Sequence, residues 1–136
     1  MTLPNGPDLD LQKAIYDRLM ASVDLKTLAG NPVRLIYEGD PVPATFPYIT
    51  IGESQEIEDY QAEEVYHTLH IWSKASGVTE VKQIVAVIKA ELDGQTMALA
   101  QNVCKGLYFD GVKFGGTEAP PLKHRIITFR AVVESA

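Results

Sequence analysis

The sequence predicts an α+β domain: a mostly antiparallel β-sheet with two α-helices packed on one face, in the order α-β-β-β-α-β-β. Three observations carry this. Two segments repeat their apolar residues at helical spacing, and several others alternate apolar and polar residues with a period of two. The second helical segment falls between the strand segments, with Gly- and Pro-bearing punctuation at most junctions.

Residues 1–7 are expected to be loose, because Pro4, Gly6 and Pro7 oppose regular structure. Asp8 or Asp10 then caps a helix running to about Ala29. Leu11, Ile15, Leu19 and Val23 form its apolar stripe. Ser22 and Asp24 in SVDL favour caps over helix interiors and are placed to break it in two. Gly30 supplies the stop. VRLIYEG, residues 33–39, reads as a short strand. The loop DPVPAT follows, and its prolines cannot join a central ladder.

FPYITIGES, residues 46–54, opens the second strand. Pro47 has no amide proton, so it marks the first position of a strand, here expected at a sheet edge. Ile49 and Ile51 point one way, and Tyr48, Thr50 and Gly52 the other. EVYHTLHIWS, residues 64–73, is the hairpin partner. Val65, Leu69 and Ile71 share one of its faces, while Tyr66, Thr68, His70 and Trp72 share the other. Large side chains on both faces make the second face a candidate subunit interface.

Residues 76–93 read as the clearest helix, with Val81, Ile84, Val85, Ile88 and Leu92 on one face. Ser76 or Thr79 is its cap and Gly94 its end. A short TMALA, then NVCKGLYFDGVKF and HRIITFRAVVE, are strand-like. GGTEAPPLK, residues 115–123, is the turn between the last two.

Composition narrows the function. A chain of 136 residues fits one domain, residues 1–136. Its formal net charge of −6 argues against a surface that grips nucleic acid by its phosphates. The single cysteine, Cys104, excludes an internal disulfide and reads as a buried thiol. No stretch has the ~20 apolar residues of a membrane span, and the N-terminus lacks the pattern of a signal peptide. A reducing cytoplasm is the expected place of synthesis.

Catalytic signatures do not emerge. His67 and His70 are three apart, which on a strand sends them to opposite faces, so a shared metal is not expected. His124 reads as a surface residue. The chain has no nucleophile elbow and no phosphate-binding glycine loop. No cofactor is expected. The strongest local signal is a run of acids: Glu53, Glu56, Glu58, Asp59, Glu63 and Glu64 fall within twelve residues without a base among them. This is a solvated hairpin tip or, repeated around a ring, a negative collar that repels polyanions. Its spacing matches no EF-hand loop.

Several segments together carry a resemblance. LQKAIYDRL, FPYITIGES, HTLHIWSKASGVTEVKQIVAVIKAEL and HRIITFRAVVE, in this order and spacing, resemble the tail-completion family of long-tailed bacteriophages and gene transfer agents. The likeness covers roughly residues 9–134. It implies a non-enzymatic virion protein whose copies close into a hexameric ring. That ring caps the tail tube, ends its polymerisation and joins the tail to the head connector. The implied partners are other copies of the chain, the major tail tube protein and a connector or stopper protein. DNA passes through the lumen without specific binding, and no membrane is involved. Under this resemblance the 53–64 hairpin faces the lumen or the tube. The 111–121 loop, with Gly115, Gly116, Pro120 and Pro121, touches an axial partner. The alternatives are another neck component, such as a stopper or adaptor, or a small enzyme or ligand-binding domain.

Overall fold

The computed structural model describes residues 3–58, 62–75, 78–115 and 122–135. The elements are α1 (Pro7–Met20), α2 (Val23–Ala29), β1 (Leu35–Tyr37), β2 (Tyr48–Glu58), β3 (Glu63–Ser73), α3 (Thr79–Leu92), β4 (Asn102–Phe114) and β5 (Lys123–Ser135). The five strands form one sheet in the order β1-β2-β3-β5-β4. Every pairing is antiparallel except β1 with β2. The helices lie against one face, so the α+β prediction holds.

The first helical segment is two helices. Ser22 ends the continuity: its backbone is extended, and its hydroxyl oxygen accepts a hydrogen bond from the Leu25 amide. The break turns Val23 off the stripe shared by Leu11, Ile15 and Leu19, leaving it 74% exposed. Pro7 does not belong to a loose N-terminus. It opens α1, where its missing amide proton costs nothing. Just before it, the Asn5 amide and the Leu3 carbonyl both hydrogen-bond the side chain of Gln101.

α3 begins at Thr79 without a side-chain cap, and Ser76 lies outside the described residues. Gly94 follows the helix with φ +74°, a conformation that suits glycine. The TMALA segment is not a strand. Just before it, Gln95 forms an isolated bridge with Leu107 of β4.

The core lies between the helices and the sheet. Leu11, Ile15 and Leu19 of α1 and Val81, Ile84, Ile88 and Leu92 of α3 meet Ile49, Val65, Leu69, Ile71, Leu107, Ile127, Phe129 and Val133, all buried. Cys104 is buried among them. The start of β2 is not a sheet edge, because β1 pairs with it across Ile49, Thr50 and Ile51. Pro47 sits one residue before the strand, where no ladder amide is required. Its carbonyl accepts a hydrogen bond from Arg34 Nε at 2.8 Å.

β2–β3 and β4–β5 are long antiparallel pairs whose connections lie at opposite ends of the sheet. The register shows this: Glu63 pairs with Val133 at one end of β3, and Ser73 with Lys123 at the other. β2 carries one β-bulge, between Ile51 and Ser54, and β4 two, between Cys104 and Gly106 and between Phe109 and Gly111.

Candidate functional site

The face of the sheet opposite the helices carries the side chains singled out in the sequence. β-Alternation brings Tyr66, Thr68, His70 and Trp72 of β3 onto it, and all four are half-buried. Their cover comes from the same chain. Trp72 stacks on Tyr48 and on His124, the latter with ring centroids 3.7 Å apart. Its indole nitrogen donates to Thr50 Oγ1 at 3.3 Å. Tyr48 in turn packs against Phe46.

His124 is not a surface residue. It is 5% exposed, because the register sets it opposite Trp72. Its Nδ1 lies 3.1 Å from the Gly115 carbonyl and its Nε2 lies 2.6 Å from His70 Nδ1. A proton on His124 Nδ1 satisfies the carbonyl and leaves Nε2 to accept from His70. The pair thus ties β3 to β5, and the Arg125 guanidinium is directed over the Phe114 ring.

Lower on the same face, Arg130 Nη1 lies 3.5 Å from Glu64 Oε1, and the Tyr66 hydroxyl donates to Glu64 Oε2 at 3.2 Å. Arg130 also covers the Tyr108 ring. Thr50, Thr68 and Thr128 fill the middle rows. This is a polar face with one aromatic cluster at its upper end, not an apolar one.

The acidic run does not stay together. After the bulge in β2, Ser54 and Glu56 stand in the rows of His67 and Val65, on the helix side. Glu56 Oε1 accepts the Asp8 amide at 3.2 Å, so it neutralises the start of α1. Glu64 is engaged by Arg130 on the opposite face. Glu53 is exposed at the bulge, where its carbonyl accepts from Thr68 Oγ1 at 2.5 Å. Glu63 is half-buried and pairs with Glu58 at the end of the ladder. Asp59 lies outside the described residues, as do Gly116, Pro120 and Pro121 of the other hairpin tip. Gly115 adjoins that tip, and its amide donates to the His124 carbonyl at 2.9 Å.

His67 faces the helices, opposite to His70 as alternation requires. It is buried, with Nε2 2.9 Å from Asp8 Oδ1, while Ser54 Oγ donates to Asp8 Oδ2 at 2.6 Å. The hydrogen bond from His67 holds the Asp8 carboxyl below the usual carboxylate range. Partial burial opposes the shift, and Ser54 reinforces it. This Ser, Asp and His do not form a nucleophilic triad, because the serine proton is directed at the aspartate and not at the imidazole. Among the described residues no group of three or more His, Cys, Asp or Glu could hold a metal ion.

Residues 13–134 match the family described as tail completion protein gp17. The chain belongs to this family. A search of curated proteins gives no match. Among solved structures, a chain of the "Virion of native gene transfer agent (GTA) particle" superposes with a TM-score of 0.80. The two are 25% identical, and the likeness covers 93% of this chain and 96% of that one. Family and neighbour together support a structural role in a phage-type tail. For a tail-completion fold, the features to explain are therefore faces, edges and hairpin tips.

One glycine fixes the spacing on the open face of this tail-completion fold. A Cβ on Gly52 would come within 2.6 Å of the His70 ring and 2.8 Å of Thr68 Oγ1. The ring cannot retreat, because Trp72 and His124 stack beside it. Gly52→Ala is expected to cost about 1–3 kcal/mol, read as a lower denaturant midpoint at unchanged slope.

Proposed function

We propose that this chain is the tail terminator of a phage or phage-like particle. Six copies close into a ring that caps the finished tail tube, ends its polymerisation and joins the tail to the head connector. The observation that carries this reading is the match to the tail-completion family over residues 13–134, with a virion component as a structural neighbour. The fold supports it. Its two long strand pairs are connected at opposite ends of one sheet. That geometry suits a part with one partner below and another above.

In this reading the 53–64 hairpin is directed at the tube or lumen and the 111–121 hairpin at the connector. Six copies at −6 each give the ring a strongly negative formal charge. DNA passes such a ring without adhering, because phosphate and carboxylate repel. The ring sits at the head–tail junction and is assembled in the bacterial cytoplasm.

Deletion of the gene tests the proposal. Electron microscopy is expected to show overlong tubes without heads. Particles of normal tail length would overturn it. Tails of normal length that lack only heads, with the protein bound to a portal-side ring, would make it a stopper instead.

A further inference from the structure

The two edges of the sheet are each blocked along one stretch and open along another. β1 occupies β2 at Ile49–Ile51, and the Glu38 amide also donates to the Ile51 carbonyl. Beyond the bulge, Ser54–Glu58 has β3 on one side and no ladder partner on the other among the described residues. On the far side, residues 93–95 occupy β4. Gly94 N donates to Leu107 O, Leu107 N to Gln95 O, and Phe109 N to Asp93 Oδ1. Past the second bulge of β4, Gly111–Phe114 has β5 on one side and no ladder partner on the other among the described residues.

The open stretches match. Both follow a bulge, and both are about four residues long, the length of a short ladder. They run in opposite directions in the sheet, so β4 of one copy and β2 of the next continue the antiparallel alternation. Three exposed apolar side chains lie on them: Ile57 at 42%, Val112 at 45% and Phe114 at 61%. An unpaired edge with exposed apolar residues is a template for another strand. Two such edges on one molecule, each fitting the other, make a head-to-tail contact.

We infer that β4 of one copy pairs antiparallel with β2 of the next, Gly111–Phe114 against Ser54–Ile57. The inference rests on the ring reading and specifies how its copies join. Ser54 then faces Phe114, Gln55 faces Lys113, Glu56 faces Val112 and Ile57 faces Gly111. The incoming β4 and β1 share the edge of β2 end to end, with Phe114 arriving below Tyr37.

This register imposes a stagger. Gln55 lies in the row of Tyr66, Arg130 and Tyr108, whereas Lys113 lies in the row of Ile126 and His70. From Tyr66 to His70 is four residues on β3. That offset is roughly 13 Å along the strand, while four long strands span roughly 19 Å across. The ratio tilts the strands by about 35° from the ring axis, inside the range of closed barrels. Stagger and strand number then rise together, as in the eight-stranded barrel whose tilt is ~36°. Six copies supply ~24 long strands and a wall about 45 Å across between backbones, wide enough for a water-filled bore. The helices lie outside. The open face, with Tyr66, Thr68, His70, Arg130 and Glu64, lines the bore, so these residues meet the channel and not the neighbouring copy.

Paired cysteines test it in the full chain. Gln55 and Lys113 are exposed and Cys104 is buried, so Gln55→Cys with Lys113→Cys leaves the core untouched. Mild oxidation of the purified ring is expected to give a ladder of disulfide-linked species up to the ring mass, absent from either single variant. A ring of full mass with no ladder overturns the pairing but leaves the ring. Bridging from position 55 to a Tyr108→Cys instead overturns the stagger. A protein that stays at 14.9 kDa, alone and on tail-tube tips, overturns the ring reading and the pairing with it.

Discussion

Phe129→Ala is expected to remove about 4 kcal/mol of folding stability, within the range for truncating a buried phenylalanine. Phe129 is fully buried at the centre of β5. Its ring meets Phe109 edge-on, with centroids 5.8 Å apart. The strand pairs with both β3 and β4, so the cavity opens in the middle of the sheet, where no element can move in to fill it. Domains of this kind have roughly 5–15 kcal/mol in total, so the loss takes a large share. The measurement is equilibrium denaturation, with a fall in melting temperature of roughly 15 °C. A change below about 1 kcal/mol would show that the sheet and helices repack freely around the site.

Asp10→Ala is expected to cost about 3 kcal/mol, through donors left without acceptors and not through lost volume. Asp10 is 2% exposed. Its Oδ2 accepts from Gln101 N at 2.8 Å, Asn102 N at 2.9 Å and Asn102 Nδ2 at 3.0 Å. Its Oδ1 accepts from Asn5 Nδ2 at 3.2 Å. One carboxylate thus joins the N-terminal segment, α1 and the start of β4. Burial alone would raise its pKa. The bonds from Gln101, Asn5 and Asn102 outweigh burial and hold it below the ordinary value.

The sign of the pH dependence follows. A carboxyl depressed on folding binds fewer protons in the native state, so its contribution is present above the unfolded pKa of about 3.9. It is lost as pH falls through the folded pKa. Asp8, depressed by His67, acts in the same direction. Denaturation midpoints measured from pH 7 down to acid should therefore fall less steeply in Asp10→Ala than in the parent chain. Equal acid limbs would remove the charge from this account and leave only packing.

Local pattern made much of the architecture legible. The spacing of Leu11, Ile15 and Leu19, and of Val81, Ile84, Ile88 and Leu92, identified the helices. The alternation through Tyr66, Thr68, His70 and Trp72 identified a second sheet face. Other features depended on residues far apart in the chain. His124 looked exposed because its immediate neighbours are a loop and Arg125, yet Trp72 and His70 bury it from 52 and 54 residues away. The acids looked like one patch because sequence distance ignores the bulge, which sends Glu56 and Glu64 to opposite faces. Asp10 was expected as a helix cap, but α1 begins at Pro7 with Gly6 as its N-cap and Asp10 in its first turn; its partners at 101 and 102 were not legible locally.

From the amino-acid order alone came the fold class, the helix break at Ser22, the opposed directions of His67 and His70, and the resemblance to a tail family. These depend on interactions within a few residues, where backbone geometry dictates the periodicity. Only the folded chain decided which strand edges are open and how far apart they lie along the sheet. That offset is a sum over four strands, two bulges and two blocking segments. No local stretch contains it.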